Sequence, residues 1–254
     1  MTKKTTTKLI DINKLDSPKL LKGDSSKLIK RIPDSSIDLI LIDPPYNLSS
    51  YSTGNMDFKW RKTINNDLAD WDKETFIPQN WQKEFTRILS DKGNIFAFCS
   101  YNLIGEWHKT FDPIFDTFQF FVWHKTNPPP KFRKAGFLNS CELVVCMWNK
   151  GHTWNFGKQN EMHNFIESPI CMGKERVKNP THPTQKPLKV LDKLVQISTN
   201  EGDVILDCFM GVGSTGVSAI NQNRKFIGFE IDGDYFNQAK KRIKNISNQA
   251  KLDL

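Results

Sequence analysis

An acid, two prolines and a tyrosine stand together at Asp43-Pro44-Pro45-Tyr46, directly behind the apolar residues Ile37, Leu39, Ile40, Leu41 and Ile42. Such a run suits a strand buried on both faces of a parallel sheet, so the tetrapeptide is predicted at a strand end, on the edge of that sheet. Proline has no backbone N–H and its φ is fixed near the polyproline value. Consecutive prolines therefore keep the loop carbonyls out of helix and ladder bonds and free to accept from a ligand. A carboxylate at Asp43, rigid carbonyls behind it and the aromatic face of Tyr46 make a receptor for a planar group carrying an amino donor. A nucleobase with an exocyclic amine has that form. A strand-end turn followed by a core tyrosine would read the same way, so the tetrapeptide alone leaves both readings open.

A second stretch narrows the choice. Val204 to Phe209 is another buried-strand pattern, and it runs into Met210-Gly-Val-Gly-Ser-Thr-Gly216, after which Val217, Ala219 and Ile220 have helical spacing. Gly211 and Gly213 let the backbone approach a ligand, and the unpaired amides of a helix start favour acceptor groups. A nucleoside-binding fold needs an acid on the next strand to hold ribose hydroxyls. Lys225 to Ile231 supplies that strand, and Glu230 is the acid. Glycines fall at 211, 213 and 216, yet Asp207 stands at the mouth of the turn. It would repel a diphosphate and attract a sulfonium amino acid with a free ammonium. That points to S-adenosylmethionine rather than a nicotinamide dinucleotide.

Asp43-Pro-Pro-Tyr46 together with Asp207-Cys-Phe-Met-Gly-Val-Gly-Ser-Thr215 resembles the DNA amino-methyltransferases, which methylate the exocyclic nitrogen of adenine or cytosine. The catalytic motif precedes the cofactor motif, as in the circularly permuted group called beta. In that family the acidic tetrapeptide more often accompanies adenine-N6 methylation, and the serine form cytosine-N4 methylation. The resemblance spans roughly residues 19 to 246. It implies a Rossmann-like, mostly parallel, doubly wound seven-stranded α/β sheet with a permuted start. It further implies catalytic roles for Asp43, Pro44, Pro45 and Tyr46, and cofactor contacts from Asp207, Phe209, Gly211, Gly213, Ser214, Thr215 and Glu230. Gly23-Asp24-Ser25 and His182-Pro-Thr-Gln-Lys-Pro187 match further motifs in the same order. By resemblance Asp24, His182 and Lys186 lie against the cofactor, with a helix N-cap as the alternative for Asp24. Duplex DNA is the implied substrate. A homodimer and a cognate restriction endonuclease are partners by analogy with the group.

Composition agrees with that reading. The chain has 254 residues, 36 Lys and Arg against 28 Asp and Glu, and a net charge of +8, a balance suited to a polyanionic partner. Its length suits one catalytic domain over residues 1–254 with insertions. The five cysteines lack a Cys-x-x-Cys pair and mostly sit in apolar strand patterns, so buried free thiols are expected and no metal site. With no apolar run of membrane length and no signal peptide, a cytoplasmic location is expected and no membrane partner.

The remaining elements position these motifs. Strands are predicted near residues 20, 40, 96, 121, 144, 205 and 227, and helices over 25–32, 74–90, 103–111, from Pro187 as N1, and over 234–247. Residues 1–8 read as a basic arm, and 47–72 as an irregular lid over a flipped base. Asn149-Lys-Gly151 ends the 141–148 strand in a turn signal that suggests an edge hairpin. Target recognition is placed at about 126–140 and 152–181. The first holds Lys125 at its margin, then three prolines and Lys131, Arg133 and Lys134; these are expected to touch DNA phosphate. The second interleaves Trp154, Phe156, His163 and Phe165 with Lys174, Arg176 and Lys178, a pattern suited to DNA contact and base stacking. A DNA-binding module without catalysis is the alternative from another class, opposed by the intact Asp43, Tyr46, Gly211 and Gly213.

Overall fold

In a computed structural model, residues 8–15, 17–46, 56–58, 61–64, 76–131, 136–180 and 182–252 are described. One sheet of eight strands carries the chain. In chain order they are β1 (Lys19–Lys22), β2 (Ile37–Ile42), β5 (Leu89–Cys99), β6 (Thr117–Lys125), β7 (Cys141–Trp148), β8 (Phe165–Ser168), β9 (Val204–Asp207) and β10 (Lys225–Glu230). A separate hairpin pairs β3 (Met56–Phe58) with β4 (Arg61–Ile64). The helices are α1 (Ser25–Leu28), α2 (Gln79–Ile88), α3 (Ile104–Phe111), α4 (Leu188–Ser198), α5 (Ser214–Asn221) and α6 (Gly233–Leu252).

Across the sheet the order is β1-β10-β9-β2-β5-β7-β6-β8. Only β7 runs antiparallel to its neighbours. Both faces are covered, because side chains alternate along each buried strand. On β2, Ile40 and Ile42 join Phe85, Trp107 and Phe111 on one side, while Leu39 and Leu41 join Leu191, Leu194 and Ala239 on the other. The run that looked continuous in sequence is therefore split between two cores.

From β9 the chain passes through α5 to β10 in one direction, and from β2 through α2 to β5 in the other. The crevice outside the carboxyl ends of β9 and β2 lies where the winding reverses, the position at which open α/β sheets take ligands. Leu39 and Ile40 pair with Ile205 and Leu206, so Asp43 and Asp207 leave the sheet at the same edge. Asp38 fixes that register: its carboxylate accepts from the Val204 amide at 2.9 Å and from Ser90 Oγ at 2.9 Å.

Several expectations change in detail. The sheet has an eighth strand, β8, from a segment whose composition shows no period. β7 is interior rather than an edge, because β6 and β8 add beyond it. Pro187 is the N-cap of α4, with φ −73° and ψ 142°, instead of its first residue; extended ψ at that position keeps it outside the helix. The 25–32 helix tightens to a 3-10 turn at Ile29–Arg31, and α2 begins at Gln79 behind Pro78. Within the expected lid β3 and β4 pair as an antiparallel hairpin with a register shift between Met56 and Phe58, and the rest of 47–72 lies outside the described residues, as does most of the basic arm. All five cysteines are free and four are buried, whereas Cys141 is exposed at the start of β7. Among the described residues no helix is long and apolar enough to cross a membrane, and no cluster suits a metal ion.

Gly216 shows how tightly α5 sits on the sheet. A Cβ there would come within 2.6 Å of both Ile243 Cδ1 and a ring carbon of Phe226. Gly216→Ala should therefore cost about 1–3 kcal/mol of stability through overpacking, read as a lower urea midpoint at unchanged m.

Candidate active site

The cofactor side is built from three chain ends: the tips of β9 and β10 and the start of α5. Gly211 and Gly213 take left-handed φ values of 51° and 80°, which turns the chain sharply into α5. Glu230 braces this turn. One of its oxygens accepts from the Gly211 amide at 2.8 Å and the other from the Asp232 amide at 2.8 Å. Each oxygen retains a lone pair for a hydroxyl donor. Asp207 is 2 % exposed and accepts from the Phe209 amide at 2.9 Å. Burial pushes its carboxyl up to about 7, against the pull of Thr215 and the Phe209 amide, with the nearby Asp43 and Glu230 charges adding to the rise. Phe209 sits edge-on to Trp81 and Phe76, with centroids 5.1 and 5.7 Å away.

His182 closes this side from above. Its ring lies 4.8 Å from that of Tyr235, and a Cβ on Gly211 would come within 2.8 Å of its Nε2. Burial, and then the positive charges of Lys186, Arg176 and Arg242, lower its pKa to about 3, so the imidazole is neutral at physiological pH. Asp24 is the N-cap of α1, accepting from the Ser26 amide at 2.9 Å and pairing with Lys27 at 3.1 Å. Ser25 Oγ donates to the Cys208 carbonyl, which joins this strand end to the cofactor strand.

On the catalytic side Asp43 meets a lysine that sequence reasoning had put with the cofactor. Lys186 Nζ lies 2.5 Å from Asp43 Oδ2 and 3.3 Å from Glu142 Oε2, with its side chain 5 % exposed. It also lies 5.3 Å from the centroid of the Tyr46 ring and 4.9 Å from that of Phe98. Glu142 accepts from Tyr46 Oη at 3.4 Å and pairs through Oε1 with Lys125 at 2.7 Å. Burial raises the Asp43 pKa; the Lys186 ammonium opposes this and the Glu142 charge adds to it. Glu142 itself is held below the ordinary carboxylate range, since burial is outweighed by the two lysines. Ser100 Oγ donates to the Tyr46 carbonyl at 3.3 Å, steadying the end of the tetrapeptide.

The structure thus brings Asp43, Tyr46, Lys186, Asp207, Gly211 and Glu230 to one crevice. Lys125 is corrected: its ammonium turns inward to Glu142 and the Asn139 carbonyl instead of outward to phosphate, since the Glu142 charge needs a partner. The second recognition segment is divided. Trp148 pairs with Asn94 and with Thr117, the first residue of β6, so the chain leaves β7 at the sheet edge opposite Asp43. Trp154 packs there against Trp148 and Phe96, which makes it core rather than a base-stacking face. β8 then returns the chain to the catalytic edge, carrying Lys174, Arg176 and Lys178 there. Gln185 accepts from the Val177 amide and donates to the Glu175 carbonyl, and the Glu175 carboxylate caps α4 through the Leu188 amide. Lys131 stands on the loop at the same edge and donates to the Phe137 carbonyl at 3.0 Å. Arg133 and Lys134 lie outside the described residues.

Glu142 was missed. An acid second in the otherwise apolar strand Cys141–Trp148 must be paired if buried, and that was the available signal.

A permuted, mostly parallel sheet with a glycine turn, two flanking acids and an Asp-Pro-Pro-Tyr tip in one crevice defines a Rossmann-like methyltransferase. The chain belongs to the DNA methylase family of N6 and N4 methyltransferases, whose family model matches residues 37–241. It is 33% identical over 253 residues to the type II methyltransferase M.HinfI of Haemophilus influenzae, covering 89% of this chain and 68% of the relative. It is 31% identical over 242 residues to M2.LlaDCHI of Lactococcus lactis subsp. cremoris, covering 88% of each. Among solved structures, the complex of M1.HpyAVI with SAM superposes with a TM-score of 0.64 at 28% identity, covering 88% of this chain and 98% of that one. The protein is an S-adenosylmethionine-dependent DNA methyltransferase of restriction-modification type.

The crevice suits that cofactor: two acids flank a turn whose backbone is bare because side chains cannot fit at Gly211. A ligand ammonium beside Asp207 favours its ionised form. Cofactor affinity should therefore rise as pH rises through about 7, with proton release at pH 6, seen in calorimetry as a buffer-dependent enthalpy. In the free protein the sign is opposite: a raised carboxyl stabilises the fold below its ordinary 3.8, and that contribution is lost as pH climbs to about 7. Asp207→Asn should abolish both effects.

Proposed function

We propose that the protein is a site-specific adenine-N6 methyltransferase acting on a flipped adenine in duplex DNA. The observation that carries this reading is the pairing of β2 with β9, which sets Asp43 and the Asp207–Gly213 turn side by side. The acidic first residue of the tetrapeptide supports adenine over cytosine, by resemblance to the family.

An aromatic exocyclic amine is a poor nucleophile because its lone pair is shared with the ring. Asp43 and the Pro44 carbonyl accept the two amine hydrogens, localise that lone pair and stabilise the positive charge growing on nitrogen. S-adenosylmethionine supplies an electrophilic methyl on a positive sulfur. Asp207 takes its ammonium, the amides of the Gly211–Gly213 turn and Ser214 and Thr215 line its path, and Glu230 takes the ribose hydroxyls. Pro45 keeps the loop rigid and Tyr46 stacks on the base once it has left the duplex. Positioning and electrostatics carry the rate, with no covalent intermediate. Phosphate contacts come from Lys131, Lys174, Arg176 and Lys178 at the catalytic edge.

Incubation of duplex DNA with labelled cofactor, digestion to nucleosides and identification of the labelled product tests this directly. N6-methyladenine is expected; N4-methylcytosine would move the substrate to the other base, and no label in DNA would overturn the reading. Asp43→Ala should abolish transfer while leaving cofactor affinity within about two-fold. Glu230→Ala should weaken cofactor binding by roughly 1–3 kcal/mol, since hydrogen bonds to a charged group are lost.

A further inference from the structure

The charges around Asp43 raise a question that the transfer reaction alone does not answer. A lysine ammonium beside the amine acceptor opposes the positive charge that develops on the amine nitrogen. Lys186 nevertheless points at Asp43 from a side chain only 5 % exposed, and its other carboxylate partner is Glu142 at 3.3 Å. Glu142 reaches this place from β7, far in sequence from either motif. It is 15 % exposed and touches three groups at once: Lys186, Lys125 and the Tyr46 hydroxyl.

We propose that Glu142 is a positioning residue for methyl transfer: it anchors Lys186 against one oxygen of Asp43, orients Tyr46, and balances the Lys186 charge so that Asp43 faces the amine as an effective anion. This rests on the proposed function above and deepens it. Lys186 on Oδ2, together with the Tyr46 hydroxyl, fixes the direction in which the Asp43 carboxylate faces the amine. A single cation on Asp43 would set the direction and cancel the charge; a cation shared with Glu142 sets the direction and leaves the charge. Lys125 pairs with the outer oxygen of Glu142 at 2.7 Å, so a chain of alternating charges runs from the loop at 126–140 to the tetrapeptide and ends on the Asp43 carboxylate. The titratable groups facing Asp43 are Lys186, Glu142, Tyr46 and, across the crevice, Asp207.

The sign of the effect separates this role from a merely structural one. The Glu142 charge raises the Asp43 pKa, so its removal should lower it. In single-turnover transfer with saturating DNA and cofactor, Glu142→Gln, which keeps the shape, should reduce the plateau rate about ten-fold or more. It should also move the acid limb of the pH profile to lower pH by about half a unit or more. Lys125→Met, which removes a cation from Glu142, should move the same limb to higher pH, and cofactor affinity should stay within about two-fold in both variants. A wild-type limb position in both variants, or shifts of the same sign, would overturn the proposal while the wild-type enzyme still methylates DNA. If Glu142→Gln does not fold, the Lys125→Met shift decides alone. If the wild-type enzyme puts no methyl on DNA, the proposed function fails and this inference with it.

Discussion

Everything at the active site depends on one short strand pairing. β2 and β9 share only two register positions, Leu39 with Ile205 and Ile40 with Leu206, yet these place two chemically different strand tips at one edge. A slip of one residue would reverse which side chains face each core, exchanging the Ile40 and Leu39 sets. That constraint explains why Asp38, the one acid inside β2, is spent on the Val204 amide and Ser90. A half-buried carboxylate bonded to both neighbouring strands specifies the register where the ladder itself is short.

From that pairing the two halves of the site acquire separate supports. On the cofactor side, α5 and α6 press on the glycine turn: Arg242 donates to the Val212 carbonyl, and a Cβ on Gly213 would come within 3.0 Å of Ala239 Cβ. On the catalytic side, support comes from β7 and from the residue just before α4. The antiparallel entry of β7 matters here, because it begins at the catalytic edge and so delivers Glu142 beside Asp43 with its first residues. A parallel strand in the same place would deliver its last residues instead.

How much of this the sequence revealed follows from the range of the interactions. Strand tips, the glycine turn and Glu230 were legible because each rests on local pattern: an apolar run, a breaker and an acid within a few residues. All seven expected strands are present. What escaped was long-range. The Lys186–Asp43 contact joins residues 143 positions apart, and nothing local separates it from a cofactor contact at the same motif. Trp154 and Phe165 look alike in an aromatic, basic stretch, yet one packs in a core and the other is 47 % exposed on β8. The difference was set by the hidden strand β8, whose four residues are too few to display a period. Lys125 looked like part of a basic loop because the acid that claims it belongs to the next strand, across the hairpin.

The charge count then decides how the crevice can work. At about 4 Å and an effective dielectric near 20, two like charges repel by about 4 kcal/mol, roughly three orders of magnitude in rate if felt fully at the transition state. A lone lysine in the position of Lys186 would oppose a nitrogen turning cationic. Glu142, held below the ordinary carboxylate range by its two lysines, offsets the Lys186 charge from 3.3 Å away. Asp207 faces the reverse problem. Its neighbours Asp43 and Glu230 are both acids, and their charges add to the rise that burial imposes on its carboxyl. Of the two acids at the crevice, Asp43 is thus paired with a lysine of the protein itself, whereas the charges beside Asp207 are those of other acids.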